Sequence, residues 1–239
     1  RKAFALAFKQ EYPRDYSDSY CWDHARSMAG MIYRAGDKAD LKLSEEVTDV
    51  IRTSLGHLAT TGLLKHRGPE RMARSASVLD NLGFVFDYAD EITRQDGVRV
   101  CMDLMRVLQK LRADYWMQDG FTDTLHTVHF MCWTSTPTGA SARAQFTRLR
   151  GCELLMEVLG DGTAASRPVS TVYIVLKVFY NLCRHDDSKA EVRLLQAARK
   201  DTIKRALATH ADYLKKDTWW TDLKATAELL ETLNAQRRY

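Results

Sequence analysis

The sequence predicts an all-α protein built from about five stacked helical repeats. Only 4 Pro and 12 Gly occur among the 239 residues, so long helices are rarely interrupted. Apolar residues recur at helical spacing (i, i+4, i+7, i+10), and the same pattern returns at intervals of about fifty residues. Paired strand-like segments bounded by hairpin turn signals are not found.

The recurring apolar pattern indicates one amphipathic helix in each repeat, and we expect its apolar positions to face the core. They are Cys21, Ala25, Met28 and Met31; Met72, Ala76, Leu79 and Leu82; Phe121, Leu125, Val128 and Met131; Val172, Leu176, Phe179 and Leu182; and Leu223, Ala227, Leu230 and Leu233. Residues 172–175 have a strand-like composition, but the apolar pattern continues at helical spacing to residue 183, so we predict a helix there.

A second helix precedes each of the later copies, with apolar residues in matching places at Leu55, Leu104, Leu155 and Ala206. Each repeat therefore contains at least two antiparallel helices. The sequence leaves open a short third helix in residues 87–94, 139–149 and 188–199, because these segments do not superimpose by a simple offset.

Two short motifs carry a family resemblance. Residues 78–83 (Val-Leu-Asp-Asn-Leu-Gly) and 178–183 (Val-Phe-Tyr-Asn-Leu-Cys) resemble the Leu-x-Asn-Leu core of armadillo repeats, and residues 150–155 resemble the glycine-led opening of the next repeat. The resemblance implies one armadillo/HEAT-like right-handed α-solenoid domain over residues 1–239. The Asn is replaced by Phe130 and Thr232 in other copies, and no Trp-x-x-x-Asn ladder is present, so a groove for nuclear-import peptides is not expected.

Cysteine usage and hydropathy indicate an intracellular, cytoplasmic protein. The 5 Cys are scattered at long spacings inside apolar stretches, which is typical of a reducing compartment. The longest apolar run, residues 172–183, is interrupted by Lys177 and is too short to span a bilayer. We therefore expect no membrane insertion.

Catalytic motifs are weak. His126, His129 and Cys132 form an H-x-x-H-x-x-C pattern, but each step of three residues rotates backwards by about 60° on a helix, so the first and last side chains diverge. We expect core-edge residues rather than a metal site. Neither a nucleophile elbow nor a phosphate-binding loop is present, so we predict no enzyme, no metal and no cofactor. A helical enzyme that uses one of these histidines or a reactive cysteine is the weakest alternative.

Charge distribution provides the functional hint. Residues 1–137 contain 18 Lys+Arg and 19 Asp+Glu, whereas residues 138–239 contain 17 and 12, within a formal net charge of +4. Stacked repeats align equivalent segments on one face, so the carboxy-terminal basic residues are expected to form a partner-binding basic ridge. Its members are Arg143, Arg148, Arg150, Lys189, Arg193, Arg199 and Lys200, followed by Lys204 and Arg205.

The fold class and this ridge together predict a non-catalytic protein–protein interaction scaffold, or a structural subunit of a larger assembly, that binds an acidic or extended partner segment. The alternative is an RNA-associated subunit of a ribonucleoprotein particle that uses the ridge to bind phosphates.

Overall fold

A computed structural model describes residues 45–59, 68–111, 115–160, 169–198 and 202–216, together with positions 221, 223–225 and 228. The protein is all-α over these ranges. The helices are α1 (Glu45–Ala59), α2 (Gly68–Gly83), α3 (Phe86–Arg94), α4 (Gly97–Leu111), α5 (Tyr115–Trp133), α6 (Pro137–Arg148), α7 (Gly151–Gly160), α8 (Val169–Arg184), α9 (Asp186–Ala198), α10 (Thr202–Thr209) and α11 (Ala211–Leu214). Of the described helices, none combines the length and apolarity that crossing a membrane requires.

The chain divides into two compact units, Arg1–Thr134 and Ser135–Tyr239. The division falls in the short connection between α5 and α6, where Pro137 occupies the first turn of α6. Thr136 caps that helix, because its hydroxyl accepts a hydrogen bond from the Gly139 backbone N–H at 3.1 Å. The single domain over residues 1–239 that the sequence suggests stays a prediction.

In the first unit, helices about fifty residues apart in sequence contact each other: α1 packs against α4, and α2 packs against α5. The two layers are joined by contacts of α1 with α2 and of α4 with α5, and α3 contacts all four. The predicted core positions of α2 and α5 are buried, as expected; they are Met72, Ala76, Leu79, Leu82, Phe121, Leu125, Val128 and Met131.

The second unit shows the same relation. Helix α6 packs against α9, and α7 packs against α10, while α8 contacts both α7 and α9. The predicted core positions Val172, Leu176, Phe179 and Leu182 are buried, and so is Leu223. Residues 172–175 belong to α8, which confirms a helix rather than a strand. The remaining predicted core positions, in residues 21–31 and at 227, 230 and 233, lie outside the described side chains.

A short helix is present at each of the three places where the sequence left it open. Residues 87–94, 139–149 and 188–199 correspond to α3, α6 and α9. A short turn connects α3 to α4, and another connects α6 to α7. Over the described residues, α3, α6 and α9 are thus additional to the paired helices that the sequence predicts.

The turns after α3 and α6 share one geometry. Asp96 (φ 64°) and Arg150 (φ 59°) adopt the left-handed conformation, and each is followed by a glycine that begins the next helix. A Cβ on Gly97 would collide with Ile92, and a Cβ on Gly151 would collide with the Phe146 ring. The glycines therefore permit a close helix–turn–helix corner that a larger residue would force apart.

Candidate functional sites

Arg143 lies inside the second unit rather than on its surface. The residue is 3% exposed. From α6 its Nε donates to Oδ1 of Asp187 at 3.0 Å, and its Nη2 donates to Oδ2 at 3.0 Å, so the pair joins α6 to α9. The hydrogen bonds to the guanidinium hold the pKa of Asp187 below its ordinary value. The sequence placed this charge on the basic ridge, but a buried guanidinium paired within the unit is not available to a partner.

Arg148 and Arg150 lie at the corner between α6 and α7, and both are exposed. Arg150 forms an ion pair with Glu153, Nε to Oε1 at 2.9 Å. This hydrogen bond and the charge of Glu153 raise the pKa of the guanidinium above its ordinary value. The neighbouring carboxylate reduces the net positive charge that the corner presents.

Lys189 and Arg193 lie one turn apart on α9, and Lys189 forms an ion pair with Asp186 at 3.4 Å. Burial raises the pKa of the nearby Cys183 thiol to about 12. The positive charges of Lys189 and Arg193 lower that pKa, but by less than burial raises it. The Nε of Arg193 is buried and makes no hydrogen bond to any described residue. Lys204 and Arg205 are exposed on α10, whereas Arg199 and Lys200 lie outside the described residues.

The described cysteines lie in the core. Cys101, Cys132, Cys152 and Cys183 are buried and carry free thiols. Burial raises the pKa of Cys101 to about 12, as it does for Cys183. A nucleophilic cysteine requires the thiolate, which a low-dielectric environment disfavours.

The three residues of the H-x-x-H-x-x-C pattern are separated on α5. Cys132 is fully buried, and His129 is buried with its ring against Phe130 and Trp133 at centroid distances of 5.2 and 5.6 Å. His126 is partly exposed on a different side and lies beside Asp80 of α2. The pattern therefore does not converge on one point, as the helical rotation predicts.

His126 instead belongs to a cluster with two carboxylates. Its Nδ1 lies 3.4 Å from Oδ2 of Asp80. One donor atom from each of Asp80, Asp123 and His126 lies within 4.8 Å of the other two. Asp123 and His126 are one turn apart on α5, and Asp80 reaches them because α2 packs against α5. The sequence analysis did not predict this cluster. The packing of helices about fifty residues apart in sequence would have indicated it, because it places Asp80 beside His126.

Aromatic rings from α5 and from the region around the start of α3 form a contiguous group, which we name the aromatic ridge: Phe84, Phe86, Phe130 and Trp133. The ring of Phe86 meets that of Trp133 edge-on with centroids 5.7 Å apart, and Phe84 meets Phe130 in the same way at 5.7 Å. Phe130 and Trp133 stack at 6.2 Å, and His126 also stacks on Phe130 at 6.2 Å. Phe86 is 54% exposed, and the other three rings are partly exposed.

Two carboxylates of α3 lie near Phe86 of the aromatic ridge. Asp87 is exposed next to Phe86, and Asp90 lies one helical turn after Phe86, within 3.5 Å of the Thr134 hydroxyl that follows Trp133. An exposed aromatic surface bordered by carboxylates favours a ligand that has both apolar and cationic groups.

In comparisons with known proteins, no family model, no curated protein and no solved structure matches the chain.

Proposed function

We propose that this protein is a non-catalytic protein-interaction scaffold whose aromatic ridge binds an extended segment of another protein. The single observation that carries the proposal is the contiguous, partly exposed set of rings Phe84, Phe86, Phe130 and Trp133. Phe and Trp supply large contact areas with few rotatable bonds, which is why they anchor many protein interfaces. Such rings exposed together on a folded surface typically mark a binding site.

The helix packing supports a repeat scaffold. Helices about fifty residues apart contact each other in both units, α1 with α4 and α2 with α5 in the first, α6 with α9 and α7 with α10 in the second. A right-handed armadillo/HEAT-like solenoid of about five repeats is the arrangement we propose for the full chain. Preformed helices avoid most of the ordering cost of binding on the side of the scaffold.

The acidic flank defines the chemistry of the partner. Because Asp87 and Asp90 border the exposed Phe86, the partner segment is expected to carry Lys or Arg beside its apolar side chains. This differs from the acidic partner that the basic ridge suggested. Within the described part of that ridge, Arg143 is buried in an ion pair, and Arg150 and Lys189 face carboxylates.

The RNA-binding alternative draws less support for the same reason. Phosphate binding depends on cations that are available to release counterions from the nucleic acid. Neither Arg143 nor the carboxylate-paired Arg150 and Lys189 presents an unopposed positive charge.

An intracellular, cytoplasmic location remains part of the proposal. The four described cysteines carry free thiols, as expected for a protein in a reducing compartment. Their burial also supports the absence of thiol catalysis that we propose.

The test is selection of binders from a random peptide library displayed on phage, with the full chain as the immobilised target. We expect enrichment of peptides that combine aromatic or aliphatic residues with Lys or Arg. Synthetic copies of the enriched peptides should bind the wild-type chain, and F86A and W133A should each weaken binding at least about tenfold, because anchor residues contribute most of the binding free energy.

L194A is the matched control, since Leu194 on α9 is also 54% exposed but lies outside the aromatic ridge. It should leave the affinity unchanged. D87N should lower the affinity for peptides that contain Lys or Arg. It should have a smaller effect on the affinity for an analogue in which those residues are replaced by Gln. The proposal is wrong if no peptide is enriched, or if enriched peptides bind F86A and W133A as well as they bind the wild type.

A further inference from the structure

The cluster of Asp80, Asp123 and His126 combines the donor types of a transition-metal site. An imidazole nitrogen and two carboxylates come from two helices, and their donor atoms lie within 4.8 Å of one another. Imidazole is a preferred ligand of Zn²⁺ and its neighbours in the first transition row, whereas Mg²⁺ and Ca²⁺ prefer oxygen ligands alone. The donor set therefore favours zinc over the alkaline-earth ions.

The distance between the His126 and Asp80 donor atoms matches zinc coordination. In a tetrahedral site with Zn–N and Zn–O bonds of about 2.0–2.1 Å, adjacent ligand atoms are about 3.3–3.4 Å apart. His126 Nδ1 and Asp80 Oδ2 are 3.4 Å apart. The separation of this pair therefore suits two ligands of one ion, and an Asp123 carboxylate oxygen lies within 4.8 Å of both donor atoms.

The surroundings of the His126 Nδ1 atom also support a bound ion. Nδ1 of His126 is shielded from solvent although the side chain as a whole is partly exposed, and it makes no hydrogen bond to the residues that the structure describes. A buried nitrogen without a hydrogen bond is costly, and a metal ion bound between it and the carboxylates removes that cost.

The surroundings hold the donors in place. Asp80 lies between the buried Leu79 and Leu82 on α2, and His126 follows the buried Leu125 on α5. The ring of His126 also stacks on Phe130, which limits its rotation. Ligands on packed helices are positioned more precisely than ligands on loops.

We propose that Asp80, Asp123 and His126 bind one Zn²⁺ ion between α2 and α5, with a water molecule as the fourth ligand. Two carboxylates neutralise the charge of the ion, and the neutral imidazole completes the protein ligands. The three donors are not members of the aromatic ridge, although the His126 ring contacts its Phe130.

The test uses the full chain without a polyhistidine tag, stripped of metal with a chelator and titrated with ZnCl₂ by calorimetry. We expect one Zn²⁺ per chain with a dissociation constant in the micromolar range or below. D80N, D123N and H126Q should each weaken binding at least about tenfold, since even outer-shell changes reach that size. Circular dichroism melts without metal establish that each variant is folded.

D103N and H210Q are matched controls, because they remove the same kinds of donor from α4 and from the residue before α11, and both should bind Zn²⁺ like the wild type. X-ray absorption of the zinc complex should show only nitrogen and oxygen neighbours. The proposal is overturned if no stoichiometric binding occurs, if binding survives all three substitutions, or if the spectrum shows a sulfur ligand such as Cys21.

Discussion

Arg143 of α6 and Asp187 of α9 form a two-pronged ion pair across 44 residues of sequence, with one partner buried and the other at the surface. The side chain of Arg143 is 4% exposed, whereas that of Asp187 is 41% exposed. The guanidinium depends on this carboxylate, because removing a charge from water is favourable only when a partner compensates it.

Replacing Asp187 by Asn should therefore destabilise the protein. The variant removes the negative charge that Asp187 holds against the buried guanidinium, and we expect a loss of about 1–3 kcal/mol, below the cost for a fully buried pair because the carboxylate is partly solvated. Urea denaturation followed by circular dichroism measures the change. D186N is the control, since Asp186 is 97% exposed and pairs with the neighbouring Lys189 on the surface; its effect should stay within about 0.5 kcal/mol. Equal effects of the two variants would contradict the proposed role of the pair.

The same pair makes stability depend on pH. Arg143 lowers the pKa of Asp187 in the folded state, so the carboxylate binds a proton more readily in the unfolded chain. The stabilisation is fully present above the ordinary aspartate pKa of 3.8 and is lost as the pH falls through the lower folded value. The difference in unfolding free energy between wild type and D187N should therefore shrink in acid. A difference that stays constant from neutral pH down to pH values well below the ordinary pKa would contradict this linkage.

Thiol reactivity should be low in the native state. With a pKa of about 12, Cys101 and Cys183 are thiolate in only about one molecule in ten thousand at pH 8, and burial also blocks access. We expect a C21S variant to react very slowly with Ellman's reagent and to release four thiols rapidly in urea. Fast reaction of any thiol in native C21S would show that a described cysteine is exposed or activated.

The two corner glycines should be intolerant of a methyl group. In G151A the new Cβ meets the Phe146 ring, and in G97A it meets Ile92, so we expect each variant to lose about 1–3 kcal/mol of stability through overpacking. Thermal melting provides the comparison. G56A is the control because a Cβ on Gly56 has nothing within 4 Å, and alanine in a helix interior is favoured by roughly 0.5–1 kcal/mol. Unchanged melting temperatures for G97A and G151A would contradict this prediction, because they would mean that the neighbouring side chains and backbone move to accommodate the methyl group.

The helical core was predictable because it follows from a one-dimensional pattern. Burial at Leu79, Val128 and Phe179 repeats the apolar spacing that the sequence shows directly. The short helices α3, α6 and α9 were only suggested, since their segments are too polar and irregular for a simple offset to align them.

The placement of charges was less predictable. Arg143 is buried because it follows Ala142 and precedes Phe146 on the inward face of α6, and its partner lies 44 residues away rather than at the fifty-residue period. The proximity of Asp80 to His126 likewise depends on how α2 and α5 pack. Such contacts between helices cannot be read from composition or from local spacing.

The corners that contain Asp96 and Arg150 have a consequence for engineering. In each corner, two residues separate the consecutive helices. The residue in the left-handed conformation forms backbone hydrogen bonds to both helices. Asp96 donates to Thr93 O and accepts from Val100 N, and Arg150 donates to Thr147 O and accepts from Leu154 N. A two-residue corner that is hydrogen-bonded to both helices cannot accommodate an insertion. Added residues there would break both sets of backbone hydrogen bonds, so tags and loop grafts belong at other connections of the chain.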